Sequence, residues 1–281
     1  MTEYVLEEVH WPAMMSEDLR AMLRSAVSRL RTHPDLLGLA ARGSFASGQM
    51  DEFSDLDLFL VIAPPACADV SESRRAIARS LGSLLLAFSG EHVGDPDLLI
   101  CLYGPPLVHL DLEFVTPERL RAMADRPVVL WDREGRLRAI APGDNPSHPP
   151  VDWQWIEDRF WHWVHYAAAK IGRGELFEAL RVLGELRSRV LGPLALHEAR
   201  APAYGTKKIE RTAPDRAEQM QATVAAYDAG DIVRAIRATI AMYRSFRDRA
   251  PADLELRSRA EVFVEKYFAA VAERVGGRGA V

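Results

Sequence analysis

The chain reads as α+β, a mixed-sheet domain followed by an all-helical bundle. Three observations predict this. Between about residues 36 and 131, short apolar runs separated by turn formers carry the period of strands. The stretch Ala141-Pro-Gly-Asp-Asn-Pro-Ser-His-Pro-Pro150 is dense in proline and turn residues and marks a boundary. Beyond it the strand pattern stops and only helical spacing follows. The expected domains are 1–142 and 151–281.

The elements follow in order. Ser16 is placed to cap a helix, with Glu17 and Asp18 in its positive first turn. Leu19, Leu23, Val27 and Leu30 then recur at helical spacing until His33-Pro34. Leu36 to Ala41 is a short strand that runs into a small-residue loop at Gly43, Ser44 and Gly48. A second strand spans about Asp55 to Ile62. Ser71 and Glu72 open a helix expected to reach about Phe88 through Ile77, Leu81, Leu84 and Leu85. Leu98 to Tyr103 and Leu107 to Val115 form a hairpin around Gly104-Pro-Pro106. Thr116-Pro117-Glu118 starts another helix, and Val128 to Trp131 is a fifth strand. After the boundary, helices are expected at about 152–171, 175–190, 215–228, 231–248 and 253–274.

Bulk properties narrow the function classes. At 281 residues, 48% hydrophobic and 27% charged, the chain is ordinary globular protein of one large domain or two smaller ones. Its net charge of -5 argues against a nucleic-acid partner, which requires basic patches. Cys67 and Cys101 are too few for a disulfide framework, so a reduced, cytoplasmic setting is expected. Met1 to His10 contains three Glu and no Lys or Arg, unlike a secretory signal. No apolar run is long enough for a membrane span.

The chemistry concentrates in Gly43–Asp57. In a strand, Asp55 and Asp57 point the same way while Leu56, Leu58, Leu60 and Ile62 point into a core. Two neighbouring carboxylates repel, and a cation between them removes that cost. Oxygen ligands suit Mg²⁺, which is usually held by one or two carboxylates together with substrate phosphates. The Gly43-Ser44 loop offers backbone N–H groups that phosphate can approach. Asp111 adds a third acid within an apolar strand, where it is expensive unless paired or metal-bound. Together, Asp55, Asp57 and Asp111 propose a site for two Mg²⁺ ions and a nucleoside triphosphate. His109, Asp111, Glu113 and Val115 share one strand face; Glu113 reads either as a general base or substrate contact, or as a solvent-facing edge residue.

Gly43-Ser44, the Gly48 loop, Asp55-Leu56-Asp57 and Leu110-Asp111-Leu112 resemble the nucleotidyltransferase superfamily that includes polymerase beta. Within it the spacing is similar to that of bacterial aminoglycoside and lincosamide nucleotidyltransferases, over roughly residues 36–116. The resemblance implies catalytic and metal-binding roles for Asp55, Asp57 and Asp111, and triphosphate binding by Gly43 and Ser44. Ser47 departs from the pattern, since a Gly or a basic residue often stands there. A second-domain lysine also reaches the triphosphate in related enzymes, and Lys170 occupies a similar place. Glu175, opening the next helix, reads as an acceptor contact or a base.

The implied reaction moves a nucleoside monophosphate, AMP from ATP first, to a hydroxyl of a small molecule such as an antibiotic. Alternatives are transfer to a protein side chain and a non-catalytic nucleotide-binding module on the same fold. No phosphate-loop or dinucleotide motif is present, which lowers kinase and dehydrogenase readings. Trp153, Trp155, Phe160, Trp161, Trp163 and Tyr166 crowd one helix, which reads as a central helix buried between the two domains, as a source of rings that stack on a base or the acceptor, or as a homodimer face.

Overall fold

Six strands form one mixed sheet in the first half of the chain. They are β1 (Leu36–Ala41), β2 (Leu56–Ile62), β3 (Leu84–Gly90), β4 (Asp95–Tyr103), β5 (Val108–Val115) and β6 (Val128–Asp132), in the order β3-β4-β5-β2-β1-β6. Only β2 and β5 pair in parallel among these neighbours. The computed structural model describes residues 9–123, 127–140 and 150–278. The chain divides into two compact units, Met1–Ser147 and His148–Val281. The boundary stretch at 141–149 and the segment 1–8 lie outside the described residues.

Helix α1 (Glu17–Leu30) starts as its cap requires, with Ser16 Oγ accepting from Leu19 N at 3.3 Å. A single turn, α2 (Gly43–Ala46), follows β1, and α3 (Cys67–Leu81) follows β2. Helix α4 (Pro117–Ala122) has Thr116 as its cap, with Oγ1 accepting from Arg119 N.

The strand alternation sorts the sheet into two faces. Leu56, Leu58, Leu60, Leu110, Leu112 and Phe114 join α1 and α3 in the main core. Phe59, Val61 and Val115 lie on the other face with Leu120 and Leu137. That second face also carries Asp57, His109 and Asp111, nearer the starts of β2 and β5. Its apolar half is therefore covered and its acidic half is left accessible.

The segment from Ser71 differs from the expected single helix. Pro64–Ala66 forms a tight turn that runs straight into α3, so the helix starts at Cys67 rather than Ser71. It stops at Gly82, which is fully extended, and Leu84–Gly90 becomes the edge strand β3. Leu84 and Leu85 continue the helical spacing of Ile77 and Leu81. As an edge strand with Leu85, Leu86 and Phe88 all exposed, β3 has no clean alternation to betray it.

The second unit is helical: α5 (Trp153–Gly172), α6 (Leu176–Leu186), α7 (Gly192–Glu198), α8 (Ile209–Thr212), α9 (Pro214–Gln221), α10 (Ala229–Arg247) and α11 (Ser258–Arg278). The expected helix at 175–190 ends as α6 and continues through a wide turn, Arg187–Leu191, into α7. Helix α5 supplies the centre of this core. Phe160 and Trp161 are completely enclosed, and Phe160 stacks on Tyr243 with ring centroids 3.9 Å apart. No described helix is long and apolar enough to cross a membrane.

Candidate functional site

The site forms where β1 hands over to α2 beside the start of β2. Arg42 N donates to Asp57 O at 3.0 Å, which carries the β1–β2 pairing one residue past β1. Gly43 follows with φ +61, and a Cβ there would lie 2.3 Å from Asp57 Oδ2. Both the left-handed backbone and the crowding restrict this position to glycine. Phe45 anchors the turn, buried and packed edge-on against Trp11. Ser44 Oγ is enclosed and has no hydrogen-bond partner among the described residues. Gly43→Ala is expected to cost about 1–2 kcal/mol of stability through the left-handed backbone and to displace the Asp57 carboxylate. Thermal unfolding together with a binding titration for Mg²⁺-nucleotide checks this; unchanged binding would show that the turn does not position Asp57.

Asp55 stands just before β2, at the end of a tight turn built on Asp51. Asp51 Oδ1 accepts from Phe53 N at 3.1 Å and from Ser54 Oγ at 3.0 Å, and Asp51 N donates to Ser54 Oγ at 2.9 Å. Asp57 and Asp111 are register partners across the parallel β2–β5 ladder, so they stand side by side on one face.

The charge is offset locally. Arg42 Nε lies 3.9 Å from Asp57 Oδ1. His109 stands between the other two acids, with Nε2 3.0 Å from Asp111 Oδ1 and Nδ1 3.7 Å from Asp55 Oδ2. The hydrogen bond to Asp111 raises the imidazole pKa above its ordinary value, against the opposing effect of burial.

Asp55, His109 and Asp111 each bring one ligand atom within 4.8 Å of the others, the only such group of His, Cys, Asp and Glu among the described residues. They come from the turn before β2 and from two positions on β5. Two carboxylates and one imidazole, partly open to solvent, are a donor set that fits a divalent cation. Asp57 is not a member of this group, because its carboxylate leans toward Gly43 and Arg42.

Glu113 shares a strand face with Asp111, but its surroundings differ from those of a base open to substrate, and they also differ from a solvent-facing edge. It is 2% exposed and ion-paired with Arg42 Nη1 and Arg119 Nη2, each at 3.0 Å. Burial raises its carboxyl pKa, with Arg42 pulling it down. Its position makes it a brace for Arg42, which in turn faces Asp57. Lys170 and Glu175 belong to the helical unit, where Lys170 Nζ donates to Glu175 and lies over the Tyr166 ring. Each is thus held by the other at the end of α5. His162 and His165 pack on neighbouring rings and gather no third ligand among the described residues.

Two residues of the site went unassigned by sequence reasoning. His109 was visible on the same face as Asp111, and its two-residue spacing was the available signal. Arg42 offered only its place next to Gly43.

No protein-family model and no curated protein matches the chain. Among solved structures it is similar to an aminoglycoside 6-adenyltransferase from Bacillus subtilis, at 14% identity and a TM-score of 0.36, over 95% of this chain and 100% of that one. It is also similar to a nucleotidyltransferase-like protein from Exiguobacterium sibiricum 255-15, at 12% identity and a TM-score of 0.36, over 81% of this chain and 75% of that one. At this level of superposition, the functional reading rests on the residues of the site.

Proposed function

We propose that this chain is a divalent-cation-dependent nucleotidyltransferase that moves a nucleoside monophosphate, AMP from ATP first, to a hydroxyl of a small molecule, with aminoglycoside-type antibiotics as the leading acceptor class. The observation that carries the reading is the convergence of Asp55 and Asp111 beside a glycine-restricted turn that ends in an unpartnered serine hydroxyl. Acids crowded together on a sheet face are costly unless a cation shares them. A buried hydroxyl without a partner is costly unless a ligand completes it. A metal-bound triphosphate answers both needs.

The roles follow from these positions. Asp55 and Asp111 hold the cation, and Asp57 adds a third carboxylate next to Asp111. Gly43 lets the backbone approach the phosphates, and Ser44 Oγ donates to a phosphate oxygen. Arg42, braced by Glu113, keeps the Asp57 carboxylate oriented. The acceptor oxygen attacks the α-phosphorus in line and gives its proton to the carboxylate oxygen of Asp111 that does not hold the cation. The bond from the α-phosphorus to the bridging oxygen breaks, and pyrophosphate leaves. Divalent cations at such carboxylates neutralise phosphate charge and stabilise both the entering and the leaving oxygen. Lys170 and Glu175 pair with each other in the helical unit and are given no part in this step. The acidic balance fits a cationic small acceptor better than nucleic acid.

The test is a screen of pyrophosphate release with each of the four nucleoside triphosphates, across aminoglycosides, lincosamides and metabolite alcohols. The expected result is acceptor-dependent release with ATP. Radiolabel from ATP appearing on proteins of a lysate would move the acceptor class to protein side chains. No nucleotide binding in the presence of a divalent cation would overturn the reading.

A further inference from the structure

We propose that His109 is itself a ligand of the cation, so that the site takes a first-row transition ion of the Mn²⁺, Co²⁺ or Zn²⁺ class in preference to Mg²⁺. The inference rests on the nucleotidyl-transfer reading and deepens it.

His109 projects from β5 two residues before Asp111, on the same face of the strand. Its hydrogen-bond and ion-pair partners among the described residues are the two acids on either side of it: Asp111 at 3.0 Å through Nε2 and Asp55 at 3.7 Å through Nδ1. One donor atom from each of the three residues lies within 4.8 Å of those of the other two, close enough for small side-chain movements to gather them on one ion at bonds of about 2.0–2.2 Å. The side chains of His109 and Asp55 are 40% and 42% exposed and that of Asp111 is 18% exposed. Room therefore remains for waters or phosphate oxygens to complete a coordination shell.

The imidazole changes which ion the site prefers. Mg²⁺ is a hard ion that keeps oxygen ligands and water, whereas imidazole suits zinc, copper, iron and nickel, and mixed His and carboxylate sets suit first-row divalent ions. Asp55 and Asp111 alone point to Mg²⁺; with a nitrogen between them the balance shifts. One ring nitrogen of His109 would bind the ion, and the other would stay paired with a carboxylate, the arrangement that orients a metal-bound imidazole.

The test titrates the full chain with Co²⁺, following its visible d–d absorption, and measures Mg²⁺ by competition. Wild-type protein is expected to bind Co²⁺ well ahead of Mg²⁺. His109→Ala is expected to weaken Co²⁺ by at least about tenfold and to change the absorption spectrum, while Mg²⁺ affinity moves less than about threefold. His109→Asn, which offers an oxygen in place of nitrogen, narrows the Co²⁺ advantage in the same direction; circular dichroism verifies that both variants fold. Co²⁺ affinity and spectrum unchanged in His109→Ala would overturn the inference, even if Mg²⁺-supported transfer is intact. A wild-type chain that binds no divalent cation would overturn it together with the transferase reading.

Discussion

Asp55→Asn and Asp111→Asn are each expected to lower kcat/KM for nucleotide transfer by about a hundred- to a thousandfold. The reason is the convergence of both acids on one group. A cation at a transferring phosphate contributes several kcal/mol of charge stabilisation, and each 1.36 kcal/mol is a factor of ten in rate. Either amide keeps the shape of the side chain but halves the formal charge these two carboxylates place on the ion. The double variant is expected to lose little more than either single one, because ligands of one ion act as a unit and their effects do not add. Stability should change by no more than about 0.5 kcal/mol, since both side chains are partly open and neither supports the core. Steady-state kinetics of the two single variants and the double, beside their thermal unfolding curves, checks all of this. A double variant that retains transfer within tenfold of wild type would remove these carboxylates from the reaction. Glu113→Gln is the contrast: two arginines hold its buried carboxylate, so its effect belongs to stability and to the orientation of Arg42.

The difference between Asp111 and Glu113 shows what a strand sequence can and cannot tell. Period-two alternation assigns both to one face of β5, and the structure agrees. It says nothing about which end of that face is covered, and the cover comes from Leu120 in α4, the helix after β5, and from Leu137, beyond β6. The acids at 55, 57 and 111 and the glycine at 43 were legible because each violates its local pattern: acids within apolar runs, and a small residue where a strand ends. His109 violated nothing, since a histidine on a half-exposed strand face is ordinary. Only the approach of Asp55 from another segment gives it a second partner. The fold class was legible for a similar reason, as the change from period two to period 3.6 at the proline-dense stretch is a long signal. β3 was illegible because Leu84 and Leu85 satisfy the helical spacing of the helix before them, and one extended glycine decides otherwise. The link between Lys170 and Glu175 was hidden too, as the chain must leave α5 and turn before the two side chains can meet.

In the helical unit the largest stability effect is expected at Glu157, where Glu157→Ala should cost about 3–5 kcal/mol. Glu157 is completely buried in α5, and its carboxylate is a hub. Trp161 Nε1 donates to it at 3.3 Å, Arg257 N donates at 2.9 Å, the Tyr243 hydroxyl donates as well, and Arg247 Nη1 lies 3.8 Å away. Burial pushes the Tyr243 phenol well above its ordinary pKa, so it remains a donor across the neutral range. Removing the carboxylate leaves these donors without their acceptor, and each unsatisfied buried group costs about 1–3 kcal/mol. It also leaves a cavity beside Phe160 and Tyr243, whose stacked rings close the centre of this core. For a unit of this size the loss corresponds to a fall in Tm on the order of 10 °C. Glu157→Gln retains an acceptor oxygen and nearly the same volume, so it should cost less, about 1–2 kcal/mol, chiefly from its weaker pairing with Arg247 and Tyr243. Far-UV circular dichroism and tryptophan fluorescence during thermal unfolding distinguish the two variants. A shift below about 2 °C for Glu157→Ala would mean that water or a rearranged side chain satisfies Trp161, Tyr243 and the Arg257 amide, and that the carboxylate is not what joins α5 to α10 and to the chain at Arg257.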